Sequence, residues 1–90
     1  MKRDARFFFA NLGADVARCA SAAQQGDEQL YAASLGRAHK TLEDLRASHR
    51  PEAYEEGLLL LRGLHYARED KTLSRFRSDL NRLIATFAIV

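Results

Sequence analysis

The sequence predicts an all-α protein that folds as an antiparallel up-down-up-down four-helix bundle. Apolar residues recur at spacings of three and four along most of the chain, which places them on one face of a helix. Polar and apolar residues nowhere alternate over the length of a strand, and β-branched residues are scarce. Four helices joined by short turns pack most economically as a bundle, and we expect residues 1–90 to form one domain.

The first half of the chain contains two predicted helices. Helix 1 runs from about Lys2 to Gln24, and helix 2 runs from about Glu28 to Ser48. Between them, Gly26 suits the left-handed residue that ends a helix, and Asp27 suits the N-cap of the next one. The apolar face of helix 1 consists of Phe9, Leu12, Val16, Cys19 and Ala23, and that of helix 2 consists of Tyr31, Leu35, Ala38, Leu42 and Leu45.

Pro51, the one proline, divides the second half of the chain from the first. Proline fits the first turn of a helix and breaks a helix interior, so helix 3 is predicted to begin there, with His49 and Arg50 outside regular helix. Its predicted apolar face consists of Tyr54, Leu58, Leu61, Leu64 or His65, and Arg68. Asp70 or Thr72 is expected to cap helix 4. The apolar face of helix 4 consists of Leu73, Phe76, Leu80, Leu83, Ile84 and Phe87.

The main alternative architecture is a pair of helical hairpins of the tetratricopeptide type. The segment that contains helices 2 and 3 is close to that repeat in length, and Tyr31, Gly36 and Ala38 invite the comparison. No second copy at a fixed period is visible, however, and the predicted helices are longer than such a repeat uses. The four-helix bundle is therefore the favoured architecture.

The composition favours a cytoplasmic globular protein. Hydrophobic residues make up 47% of the chain and charged residues 29%, with a net charge of +2. The single cysteine, Cys19, excludes an intrachain disulfide and suits a reducing compartment. No run approaches the roughly 18 apolar residues of a membrane span. Asp4 and Arg6 interrupt the early segment that would otherwise resemble a signal peptide.

No pattern typical of catalysis or of metal binding stands out. No histidine follows a glutamate by three residues, as di-iron bundles require, and none follows an arginine at the spacing that small helical ribonucleases of the HEPN type use. His65 and Glu69 are more simply a solvated pair on one helix than a metal site. We therefore expect a protein that is not an enzyme, with no cofactor, no metal and no small-molecule substrate.

Apolar residues on two helices exceed what one core-facing stripe requires. If Leu58 and Leu61 fill the core, the leucines between them point elsewhere, and three consecutive phenylalanines pose the same problem on helix 1. A wide core stripe would absorb most of them, but such an excess also marks interaction surfaces. The leading hypothesis is therefore a non-catalytic helical interaction module that forms a homo-oligomer or docks on a protein partner. Its candidate interface residues are Phe7, Phe8, Leu59, Leu60, Gly63 and Tyr66.

The alternative hypothesis is an accessory nucleic-acid-binding bundle with a basic edge on helices 3 and 4. From Arg62 to Arg82 there are six basic residues against three acidic ones, and a tight turn would align them along phosphates. Asp79 is equally well spaced to pair with Arg75 and Arg82, which would leave an ordinary surface of ion pairs. The candidate contacts to nucleic acid are Arg68, Lys71, Arg75, Arg77 and Arg82.

Overall fold

The computed structural model describes residues 4–89, which form four α-helices and no strand. These are α1 (Ala5–Gln25), α2 (Glu28–Ala47), α3 (Pro51–Asp70) and α4 (Leu73–Ile89). The all-α prediction is thereby confirmed for these residues. The predicted start of helix 1 at Lys2 lies outside the described residues, and the described part of residues 86–89 is the backbone alone, so the predicted core position of Phe87 is not tested. None of the four helices has the length and apolarity needed to cross a membrane.

The first two turns form at the residues that the sequence indicates. Gly26 ends α1 in the left-handed region, with φ of 73°. The carboxylate of Asp27 accepts a hydrogen bond at 3.0 Å from a backbone N–H in the first turn of α2. Pro51 is the first residue of α3, while His49 and Arg50 lie outside regular helix. All of these predictions are confirmed.

Two other helix ends depend on residues that the sequence did not single out as caps. Asp4 caps α1, because its carboxylate accepts a hydrogen bond at 3.0 Å from a backbone N–H in the first turn. Lys71 ends α3 with φ of 59°, in the left-handed region. Of the two residues expected to cap α4, Asp70 belongs to α3 as its last residue. Thr72, the other expected cap, is the residue directly before α4. The Thr72 carbonyl oxygen accepts a hydrogen bond at 3.0 Å from the N–H of Phe76.

α1 and α3 each contact all three other helices, and α1 is the central element of the packing because its contacts are the more extensive. Its contact with α2 is the most extensive, and α2 and α4 make no contact with each other in the described part of the chain. The predicted apolar faces of α1 and α2 supply much of the core, with Tyr31 and Leu35 partly buried at its edge. The largest apolar side chains that are almost completely buried are Phe9, Leu12, Val16, Leu45, Leu64 and Leu80.

The orientation of α3 differs from the prediction. Leu60 is buried, with 7% of its surface exposed, whereas Leu58 is 40% exposed and Leu59 is 54% exposed. Leu61 is only partly buried. The prediction that Leu58 fills the core while Leu60 points away from it is therefore wrong.

The physical reason for this orientation is the close approach of α3 to α1 and α2 at Gly57. A Cβ atom at Gly57 would lie 2.8 Å from a methyl group of Leu12 and 2.8 Å from a methyl group of Leu42. Because successive helix residues are rotated by about 100°, the helix face that contains Gly57 also contains Leu60 and Leu64. That face is directed at the other helices, and the opposite face is directed at solvent.

Alanine substitutions at two adjacent leucines test this orientation. Leu60→Ala should lower the free energy of unfolding by about 2–5 kcal/mol, as removal of a buried leucine side chain does. Leu59→Ala should change it by less than about 1 kcal/mol, because the side chain is largely in solvent. Urea denaturation followed by circular dichroism measures both values. Equal losses at the two positions would contradict the assigned orientation.

Glycine-to-alanine substitutions provide a second test of the packing at Gly57. Gly36 is exposed in α2 and has open space around it, so Gly36→Ala should raise the free energy of unfolding by about 0.5–1 kcal/mol through helix propensity. At Gly57 the new methyl group meets two core leucines, so the propensity gain should be cancelled or reversed. Thermal or urea unfolding of both variants gives the comparison. A gain at Gly57 equal to the gain at Gly36 would show that α3 has room to move away.

Candidate functional site

The exposed apolar surface of the described chain is concentrated on the outer face of α3. We use this name for the side of α3 opposite Gly57, formed by Glu55, Leu58, Leu59, Arg62 and Tyr66. Tyr66 is 58% exposed, and it joins the two exposed leucines on this face. Three of the five large apolar side chains that are exposed in the described residues therefore lie on one side of one helix.

The structure brings together part of the predicted partner interface on α3. Leu59 and Tyr66 are both exposed there, as the sequence predicts. Leu60 belongs to the core and contributes nothing to the outer face. Gly63 is half-buried beside α4, where a Cβ atom would lie 3.1 Å from the ring of Phe76. The outer face thus contains two of the four interface residues predicted on this helix.

The predicted interface residues of α1 lie elsewhere. The rings of Phe7 and Phe8 meet edge to face with centroids 5.6 Å apart, and Phe8 packs partly against the core. Phe9 is buried, and Phe7 precedes it by two residues, which corresponds to a rotation of about 200° around the helix. Phe7 therefore points away from the side of α1 that packs against α3, and it is not continuous with the outer face of α3.

Charged residues follow one another in a definite order along α3. Glu55 and Glu56 come before the exposed leucines, and Arg62 comes after them. All three side chains are exposed. None of them has an ion-pair partner within 4.0 Å among residues 4–89. The outer face therefore has an acidic part and a basic part on either side of an apolar centre, and both are available to a partner.

A groove between α2 and α3 borders the outer face. Its volume is about 470 Å³, and it is lined by Tyr31, Leu35, His39, Leu61, Arg62, Leu64, His65 and Tyr66. The ring of Tyr31, which lines the groove, also contacts Arg68, whose guanidinium lies 4.1 Å from the ring centroid and forms an ion pair with Glu28. The described residues contain no group of three or more His, Cys, Asp or Glu side chains that could hold a metal ion.

Two of the residues predicted to contact nucleic acid are bound to other helices. Arg68 faces α2 through its ion pair with Glu28. Arg77 faces α1, where its guanidinium donates a hydrogen bond at 2.9 Å to the amide oxygen of Gln24. Arg68 and Lys71 nevertheless line one depression together with Gln24, the residue that Arg77 contacts.

The other basic residues of that set lie around the turn between α3 and α4 and along α4. Arg82 is paired with Asp79 at 3.4 Å, and Lys71 is the residue that ends α3. Arg75 and Asp79 line a shallow depression between α3 and α4, but they do not approach within the 4.0 Å of an ion pair. Of the two predicted partners of Asp79, the structure therefore pairs it with Arg82 alone.

A buried carboxylate between α1 and α2 is a feature that the sequence analysis missed. The Asp15 side chain is only 9% exposed and accepts a hydrogen bond at 2.8 Å from Arg18. Arg37 of α2 also approaches it, at 3.7 Å, and donates a hydrogen bond to the hydroxyl of Ser34. The available signal was that Asp15 follows Leu12 by three residues and so interrupts the apolar face of helix 1. Because two arginines neutralise the carboxylate, we assign it a structural role.

Cys19 lies in the core next to this carboxylate. Burial raises the pKa of the Cys19 thiol to about 11, and the negative charge of Asp15 contributes in the same direction. The thiol is therefore protonated at neutral pH, whereas a reactive cysteine requires the thiolate. This environment is that of a packed side chain.

Comparisons of this chain with protein-family models, with curated proteins and with solved structures find no match. In the described part of the chain, the outer face of α3 combines exposed apolar side chains with charges that lack an ion-pair partner.

The thiol of Cys19 gives a direct test of the core assignment. At pH 8 it should react with a disulfide reagent such as DTNB only when the protein is unfolded by urea. Because folding raises the thiol pKa from 9.0 to about 11, the folded state should also lose stability as the pH rises through this range. Cys19→Ala, which lacks the titrating group, should show a smaller loss over the same range. Rapid labelling of the native protein would show that Cys19 is accessible.

Proposed function

We propose that this chain is a non-catalytic helical interaction module that self-associates through the outer face of α3. The observation that carries this proposal is the exposure of Leu58, Leu59 and Tyr66 on the same side of one helix. A contiguous apolar patch of a few hundred Å² is the size that marks interaction sites. Burial of such a patch stabilises a complex by roughly 25 cal/mol per Å² before the entropy of association is subtracted.

The proposal includes an antiparallel up-down-up-down arrangement of the four helices. Near the end of α1, Gln24 donates a hydrogen bond at 2.9 Å to Ser74, near the start of α4. Near the end of α3, Arg68 pairs with Glu28 at the start of α2. Contacts between the end of one helix and the start of another are typical of antiparallel neighbours. The contact between α1 and α4 favours a closed bundle over two stacked hairpins.

The nucleic-acid alternative has weaker support. Three of its five basic residues are bound to acidic or amide side chains of the same chain. A phosphate group would have to displace these contacts before it could bind. In the outer face of α3, by contrast, the apolar side chains are already exposed.

Self-association and its dependence on two exposed leucines test the proposed function. Sedimentation velocity at micromolar concentrations should give a mass above that of one chain. Leu58→Lys combined with Leu59→Lys should give a monomer, because two charges in a buried interface lack compensation. Helicity should be unchanged, since both side chains are exposed in the single chain.

The matched control is Leu30→Lys. Leu30 is also an exposed leucine, 41% accessible, but it lies near the start of α2. This variant should associate as the wild type does. A wild-type protein that stays monomeric at high concentration would overturn the proposed function. Unfolding of the double variant would assign both leucines to the core and would equally contradict the proposed interface.

A further inference from the structure

The charges on the outer face of α3 are ordered so that this face is complementary to itself. We infer that two copies of the chain pair through α3 in antiparallel orientation, about a twofold axis that passes between Leu58 and Leu59. This inference rests on the proposed function, because it specifies the partner and the register for the same surface. A twofold dimer is also the commonest symmetric assembly of soluble proteins.

The positions on the helix define what each residue meets in this register. Arg62 and Glu55 are seven residues apart, so they lie almost in line along the outer face. Leu58 and Leu59 diverge by about 100° and lie on the two sides of that line. A rotation of 180° about an axis between these leucines places Arg62 of each copy opposite the partner's Glu55. It also brings the two copies of Leu58 together on one side of that line and the two copies of Leu59 together on the other side.

The two ends of the interface are also matched. Tyr66 lies beyond Arg62 and comes opposite the partner's Pro51 at the first turn of α3, so an aromatic ring meets a proline ring. Tyr66 and Pro51 are both exposed in the single chain. The register therefore buries apolar side chains at the centre and at both ends, with two ion pairs between them.

Two other pairings of the same helix place like charges together. If the twofold axis passed through Arg62, the two guanidinium groups would meet, and Glu55 would face the partner's Glu69. In a parallel pairing in register, Glu55 would lie beside the partner's Glu55, and Arg62 would lie beside the partner's Arg62. Like charges at an interface exclude the wrong arrangement, and opposite charges select the right one. The distribution of charge thus favours the register centred on the exposed leucines.

Exchange of the two charges between copies tests this register. Arg62→Glu alone or Glu55→Arg alone sets like charges opposite each other, so each should raise the dimer dissociation constant by roughly tenfold at low salt. When the two single variants are mixed, one copy carries two acids and the other carries two arginines. The mixture should therefore form a heterodimer at least as tight as the wild-type dimer. Sedimentation velocity with one variant labelled by a fluorophore measures both effects.

The controls separate the register from the existence of the interface. Lys40→Glu reverses an exposed charge on α2 and should leave association unchanged. Raising the salt concentration should weaken the wild-type dimer and reduce the differences between variants. If Leu58→Lys with Leu59→Lys dissociates the dimer while both single charge reversals and their mixture behave as the wild type, the register is wrong and the proposed function stands. A monomeric wild type would overturn both.

Discussion

The close approach of α3 to α1 and α2 at Gly57 is the constraint on which the rest of the arrangement depends. Methyl groups of Leu12 and Leu42 occupy the space that a side chain at Gly57 would need. This contact fixes the rotation of α3 about its own axis, and the rotation decides which leucines are buried. Leu60 and Leu64 complete the core as a result, and the opposite side of the helix is left with apolar residues in solvent.

The ends of the helices could be predicted from the sequence because caps act on near neighbours. Gly26, Asp27 and Pro51 each determine the conformation of a few adjacent residues, and no distant part of the chain has to be known. The rotation of α3 could not be predicted in the same way, since four consecutive leucines suit more than one face. The decisive signal was the small residues Ala53 and Gly57, which apolar periodicity alone does not weigh.

Only one property of the candidate site could be predicted from the sequence, namely that some apolar side chains would be left exposed. The sequence contains more leucines than one stripe can use, and Leu59 and Tyr66 are exposed as expected. The contacts of the basic residues could not be predicted in this way. Arg68 and Arg75 lie on different helices, because α3 ends at Asp70. The contact of Arg68 with Glu28 joins residues that are 40 positions apart, which no local pattern indicates.

The central position of α1 has a consequence for the order in which the chain folds during synthesis. α1 is made before every helix that it packs against, so Phe9 and Val16 stay uncovered until α2 has left the ribosome. The α1–α2 pair has the most extensive contact and can form first as a local unit. α4 must then close onto α1 across long separations, such as the 50 residues between Gln24 and Ser74. Until that closure, the nascent chain exposes apolar surface that the complete core buries.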